Sequence, residues 1–165
     1  MLMKGWKILI VVIVFALAFS VVGAGAEPQD VGNGQLAIKR DFNNQVSSSA
    51  GYSVDVRSIT FWINGTKQVI RNPGDFVDIY CGHNSAVIIS AKAIYNGPKG
   101  TTGWMTVQGS GSSRIRVLSP GKAASTPADM YFWTPGTDGS TGFAVDAHGY
   151  LWKAADTHDV VIHYS

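Results

Sequence analysis

The chain has 165 residues, of which 45% are hydrophobic, with 13 basic residues, 11 acidic residues and one cysteine. Lys4 and Lys7 account for the net charge, since the other 11 basic residues balance the 11 acidic ones. The exported part of the chain is therefore neutral and has no basic run, so it has no electrostatic reason to bind nucleic acid or an anionic membrane. One cysteine excludes an internal disulfide, so a hydrophobic core must stabilise the domain.

The N-terminal residues have the layout of a secretory signal. Two lysines precede an apolar run that starts at Ile8, and the small residues of VVGAGA follow it. Ala24 and Ala26 stand where a signal peptidase requires small side chains, which predicts cleavage after Ala26. We therefore expect residues 1–26 to form an apolar signal helix and the mature protein to be secreted or held at the cell surface.

Two other interpretations of this segment stay open. Residues 8–26 are nearly long enough to cross a bilayer, so the segment could be a retained membrane anchor. We expect the protein to contact a membrane only through this segment, and only if it is not cleaved. Alternatively, Lys4-Gly5 could be a prepilin-type processing point that leaves the apolar helix as an assembly stalk. Trp6 and Lys7 argue against the second alternative, because they are poor residues for a buried helix bundle.

Residues 27–52 are polar and contain clusters of Gly, Asn and Ser. We interpret them as a flexible or extended arm with one edge strand at Leu36, Ala37 and Ile38. Such a strand could be donated to an exposed sheet edge of a neighbouring copy. The remaining residues, 53–165, form the expected single domain.

The clearest element of that domain is the hairpin SITFWI-NG-TKQVIR. Asn64 and Gly65 suit a two-residue type I′ turn, in which both residues need positive φ. The resulting register pairs Trp62 with Lys67 on one face. The other face is apolar and is expected to lie in the core: Ile59, Phe61, Ile63 and Ile70. Asn64 also begins an N-x-T sequence and is a candidate for N-glycosylation.

The later segments are short runs of β-branched and aromatic residues between turn sequences. They are FVDIYC, AVIISAKAIY, WMTVQ, RIRVL, MYFW, a hairpin in GFAVDAHGYLWKA turning at residues 146–149, and an edge or tied-down strand in DVVIHYS. About eight or nine strands predict an all-β fold with a single antiparallel β-sandwich. NPGDFVDIY followed by SAVIISAKAIY resembles the immunoglobulin-like and jelly-roll modules of microbial surface proteins.

Cys81 and His83 are the nearest approach to a catalytic motif. A thiolate nucleophile needs a base held beside it, and such close neighbours in a strand or turn seldom have that geometry. We interpret Cys81 as a small buried thiol and His83 as a turn residue. His158 and His163 are five apart and should face opposite sides of a strand. We therefore expect no catalytic residues, no cofactor and no metal, with a metal site near His158 as the alternative.

Aromatic residues are frequent, and four of them are candidate contacts for a ligand or partner: Trp62, Tyr131, Trp133 and Trp152. Alternation predicts that Trp133 shares the side of Tyr131, and that Trp152 shares the side of Tyr150. Rings laid flat on a sheet can stack on the C–H faces of sugars, whereas buried rings fill the core. Core or interface packing and sugar binding are both open for these residues.

These features favour an exported, non-catalytic β-sandwich that serves as a structural, adhesive or filament-forming subunit. Its expected partner is another copy of itself or a surface component, with strand donation as the means of self-assembly. The alternative is a carbohydrate-binding module. A small secreted enzyme is the second alternative, although no hydrolase or phosphate-binding motif is present.

Overall fold

A computed structural model describes residues 27–30, 36–40 and 47–165. The expected signal helix and the cleavage site after Ala26 lie outside these residues. The described part of the chain is all-β, with thirteen strands and one short 3-10 turn. The strands in chain order are β1 (Glu27–Asp30), β2 (Leu36–Arg40), β3 (Ser47–Ser48), β4 (Ser53–Ile63), β5 (Thr66–Arg71), β6 (Phe76–Cys81), β7 (Ala86–Asn96), β8 (Gly103–Gly109), β9 (Ser112–Leu118), β10 (Ala123–Ser125), β11 (Met130–Trp133), β12 (Gly139–His148) and β13 (Ala154–Tyr164).

These strands form two sheets that pack face to face as a β-sandwich. Sheet A has the order β1-β2-β6-β13-β12-β8-β9, and β3 also pairs with β13. Sheet B has the order β10-β7-β4-β5, and β11 also pairs with β7. The core lies between the sheets, with fully buried Phe61 and Ile89 from sheet B and Ile79, Val145 and Ile162 from sheet A. Each sheet therefore has one outer face.

The hairpin register is the predicted one. Ile63 pairs with Thr66 and Ile59 with Ile70, and the turn residues Asn64 and Gly65 have φ values of 49° and 83°. The four residues expected in the core are each at most 1% exposed: Ile59, Phe61, Ile63 and Ile70. The alternation predicted for β7 is also confirmed, because Val87 and the alternate residues as far as Tyr95 are buried.

Sheet A departs from the expected fully antiparallel arrangement at one place. β6 and β13 are parallel, with Asp159 paired with Phe76 and Tyr164 with Cys81. Parallel neighbours require a long connection, which the intervening strands of both sheets provide. Of the two interpretations of the C-terminal strand, the structure supports the tied-down one, since β13 lies between β6 and β12.

The strand count and the second hairpin turn also differ from expectation. Strands of two to four residues, such as β3 and β10, have too few positions to show alternation in the sequence. The second hairpin turns at residues 149–153 rather than 146–149, because β12 continues through His148, which pairs with Ala155. Its connection is the 3-10 turn Tyr150–Trp152.

The arm expected at residues 27–52 contributes β1, β2 and β3. β2 contains the edge-strand candidates Leu36, Ala37 and Ile38, and it pairs antiparallel with β6 of the same chain. β1 pairs with the opposite side of β2. β3 pairs with Ala154 and Ala155 at the start of β13.

The type I′ turn leads to a first prediction. Gly65 has a φ of 83° with open space around it, so Gly65→Ala adds backbone strain without a steric clash. We expect this variant to lose about 1 kcal/mol of unfolding free energy, measured by urea denaturation. Gly82→Ala is the matched control, because the added Cβ would meet only Ser85 Oγ at 3.9 Å. Equal stability of the two variants would contradict this account of the turn.

Candidate ligand-binding face

The outer face of sheet B is a regular grid of side chains. One row runs across four strands: Lys67 of β5 pairs with Trp62 of β4, Trp62 pairs with Ile88 of β7, and Ile88 pairs with Tyr131 of β11. Because neighbouring strands are about 4.8 Å apart, the row is about 14 Å wide. Trp133 lies two residues beyond Tyr131 on the same face. We call Trp62, Ile88, Tyr131 and Trp133 the aromatic face.

Two rings of the aromatic face are open to solvent. Tyr131 and Trp133 are 52% and 53% exposed, and their ring centroids are 6.3 Å apart with 30° between the planes. The alternate residues of the same strand point inward, since Met130 is buried and Phe132 packs edge-on against Phe143 at 5.7 Å. Core packing therefore holds β11 in place while its two large rings face outward.

Trp62 is more enclosed than the other two rings. It is partly buried, and the Lys67 Nζ atom lies 5.7 Å from its ring centroid. This distance is within the range of a cation–π contact. Trp62 therefore supplies an apolar surface in the middle of the sheet, and Ile88 of β7 separates it from the exposed ring of Tyr131.

Trp152 is separate from these residues. It belongs to the 3-10 turn after β12 and packs on the outer face of sheet A, 3.9 Å from the His148 ring and 5.2 Å from the Trp104 ring. The expectation that Trp152 shares the side of Tyr150 assumed strand alternation, which does not apply to a 3-10 turn. Leu151 and Trp152 also have positive φ values, so this loop follows an unusual backbone path. The structure therefore assembles three of the four candidate contacts and separates the fourth.

His148 is buried under these rings, and its Nδ1 atom has no hydrogen-bond partner. Burial lowers the pKa of His148, and the nearby Asp146 carboxylate opposes this effect. The neutral ring is therefore favoured, which suits its packing against the rings of Trp104 and Trp152. This packing leaves the buried Nδ1 atom without a hydrogen bond, which costs stability.

Cys81 and His83 do not form a nucleophile and base. Cys81 is 7% exposed, its Sγ atom lies 3.7 Å from the His163 carbonyl oxygen, and burial raises the pKa of the thiol. His83 instead contacts Asp138, with 2.8 Å between Nε2 and Oδ1. A buried thiol with a raised pKa is a poor nucleophile. The arrangement fits the structural interpretation of both residues.

The C-terminal histidines face opposite sides of β13, as their spacing predicts. His163 stacks on Tyr80 at the outer face of sheet A, and its Nε2 atom is 2.8 Å from Asp78 Oδ1. His158 points into the core. Across residues 27–30, 36–40 and 47–165, no three potential metal ligands come together. Within the same residues, no helix has the length and hydrophobicity needed to cross a membrane.

Asp156 and His158 form a polar pair inside the sandwich. His158 Nε2 lies 3.1 Å from Asp156 Oδ1, at ion-pair distance but outside hydrogen-bond geometry. The other carboxylate oxygen accepts a hydrogen bond from the Val56 backbone N–H at 2.6 Å, and His158 Nδ1 is 2.7 Å from the Gly74 carbonyl oxygen. The pair thus connects β13 with β4 and with the turn before β6.

Asn64 has a structural role in addition to its place in the N-x-T sequence. Its Oδ1 atom accepts a hydrogen bond from the Ala86 N–H at 2.9 Å, and its Nδ2 atom donates to Ser85 Oγ at 3.2 Å. These bonds explain the choice of asparagine at the turn. Glycosylation of Asn64 stays a prediction.

Comparison with known proteins gives no family assignment. The chain matches no protein-family model, and a search of curated proteins finds no significant similarity.

The buried pair leads to a second prediction. Burial lowers the pKa of His158, but Asp156, the Gly74 carbonyl oxygen and Asp75 raise it by more, so the net pKa is above the ordinary 6.5. The charged ring then stabilises the fold below the ordinary pKa, and this contribution is lost as pH rises through the raised pKa. We expect His158→Gln to cost about 2 to 3 kcal/mol near pH 5.5 and less near pH 8.5, measured by urea unfolding.

His148 is present in both proteins, so its opposite pH effect cancels from this difference. A stability difference that is constant with pH, or that grows as pH rises, would contradict the assignment of a charged His158.

Proposed function

We propose that the protein is an exported, non-catalytic adhesive module that binds carbohydrate through the aromatic face. The observation that carries this proposal is the ring pair Tyr131 and Trp133, which is about half exposed on a strand anchored in the core. Sugar rings present C–H groups that pack on such surfaces, and the aromatic hydroxyl and indole N–H can bind sugar hydroxyls. A flat sheet face suits an extended polymer better than a small molecule.

The surrounding structure supports this choice over an enzyme. The described histidines and the cysteine are engaged in packing or in contacts that do not form a catalytic set. A sandwich of immunoglobulin-like or jelly-roll type is also a common scaffold for surface display, although fold alone does not determine function. Export is proposed from the N-terminal layout of lysines, apolar run and Ala24/Ala26.

A pair of matched variants tests the role of the aromatic face. We expect Trp133→Ala to weaken binding to a glycan identified on an array by about fivefold, since stacking on one ring contributes about 1 kcal/mol. Isothermal titration calorimetry measures the affinity, and thermal unfolding checks the fold. Tyr131→Ala should have a similar effect.

Trp152→Ala is the matched control, because Trp152 is 64% exposed but lies on sheet A. It should leave glycan affinity unchanged. The proposal fails if the array shows no binding, or if Trp152→Ala weakens binding as much as Trp133→Ala.

A second candidate function is self-assembly by strand exchange. The specific observation in its favour is that β2 pairs with the outer edge of β6 along residues Ala37 to Arg40. The same β6 edge in a neighbouring copy offers identical backbone partners, so β2 could pair there instead. A filament or swapped oligomer would follow from this exchange.

Deletion of the exchanged strand tests this second candidate. We expect removal of residues 27–46 to abolish oligomers seen by light scattering and electron microscopy, while circular dichroism still shows a folded β-protein. This deletion keeps β3, which pairs with β13. Unchanged assembly of the shortened chain would exclude strand exchange through β2.

A further inference from the structure

Two more rows of the sheet B grid extend from the aromatic face. One row contains Val69, Thr60 and Ser90, and the next contains Arg71, Ser58 and Lys92, each on β5, β4 and β7 in that order. Together with Trp62, Lys67 and residues of the loop after β10, they line a groove of about 400 Å³. We call this the basic groove. It shares Trp62 with the aromatic face, so the two surfaces are continuous.

The basic groove has cations and no acidic lining residue. Its charged side chains are Lys67, Arg71 and Lys92, and all three are exposed. Neither Arg71 nor Lys92 lies at ion-pair distance from a carboxylate of the described residues, whereas Arg57 and Arg114 pair with Asp55 and Asp129. The groove therefore concentrates uncompensated positive charge in a chain whose residues 27–165 are neutral as a whole.

The spacing of these cations suits repeated negative groups. Arg71 and Lys92 flank Ser58 on neighbouring strands, which places their backbones about 10 Å apart. Lys67 lies two rows from Arg71 along β5, which places their backbones about 14 Å apart. A single small anion could not reach all three, but a polymer with regularly placed anionic groups could.

Several polar side chains line the groove, and hydrogen bonds fix two of them, Ser90 and Thr126. Ser90 Oγ donates a hydrogen bond to the Thr126 carbonyl oxygen at 2.9 Å, and Thr126 Oγ1 accepts one from the Ala91 N–H at 3.0 Å. These bonds attach the loop after β10 to β7. Thr60 contributes a further hydroxyl, in the row between Arg71 and Lys92 on one side and Trp62 on the other. The groove thus combines fixed hydroxyl groups, cations and one aromatic ring.

We infer that the basic groove selects an acidic polysaccharide, carrying carboxylate or sulfate groups, over a neutral one. This inference rests on the proposed function, since the same chain of sugars would continue onto Trp62 and the aromatic face. Arg71 and the two lysines would pair with the anionic groups, and Arg71 can bind a carboxylate or sulfate in a bidentate manner. From Arg71 to the level of Trp133 the path is about 20 Å long, so it accommodates several sugar units.

The test measures binding of the full chain to four probes by calorimetry: polygalacturonate, dextran sulfate, neutral dextran and single-stranded DNA. We expect one or both acidic polysaccharides to bind more tightly than dextran, with affinity falling as salt rises. Arg71→Gln and Lys92→Gln should each weaken that binding about threefold, and the double variant about tenfold. The two acidic polymers distinguish carboxylate from sulfate as the preferred group.

Arg116→Gln is the matched control, because Arg116 is an exposed cation on β9 of sheet A. It should leave the affinity unchanged. Equal binding of dextran and the acidic polymers, with no effect of the glutamine variants but a loss on Trp133→Ala, would overturn this inference and leave the proposed function standing. Absence of binding to every polysaccharide tested, here and on the array, would overturn both. Tighter binding of DNA would overturn the inference in favour of nucleic acid.

Discussion

The pairing of β4 with β5 and β7 determines which side chains reach solvent on sheet B. A slip of one residue in this register would place Trp62 in the core and Phe61 outside, because successive side chains in a strand point to opposite faces. Asn64 stabilises both pairings at once. Its positive φ helps to form the turn from β4 to β5, and its amide bonds Ser85 and Ala86, just before and at the start of β7.

The outer faces of sheet A and sheet B differ in chemical character. Sheet B presents exposed rings beside a groove with three cations and several hydroxyl groups. The outer face of sheet A carries the rings around His148 and the Asp78–His163 contact. Residues 27–165 are neutral overall and yet have a local positive surface, which net charge alone does not reveal. This local charge refines the expectation that the protein has no preference for anionic partners.

Sequence reasoning predicted the features that depend on local pattern. The hairpin at Asn64 and the buried face of β7 follow from turn chemistry and alternation within a few residues. By contrast, Tyr131 reaches the row of Trp62 only because β11 pairs with β7, and no local signal specifies that pairing. The basic groove was missed for the same reason, since Arg71 and Lys92 lie on strands that meet through β4. The position of Trp152 depends on positive φ values that its sequence does not indicate.

The central claim is that the ligand lies along the outer face of sheet B. A nuclear magnetic resonance titration of the ¹⁵N-labelled domain with a short acidic oligosaccharide tests it most directly, because every strand has its own amide signals. The account predicts that chemical shifts change along β4, β5, β7 and β11, including the indole N–H signals of Trp62 and Trp133. Shift changes confined to sheet A, around Trp104, His148 and Trp152, would contradict it.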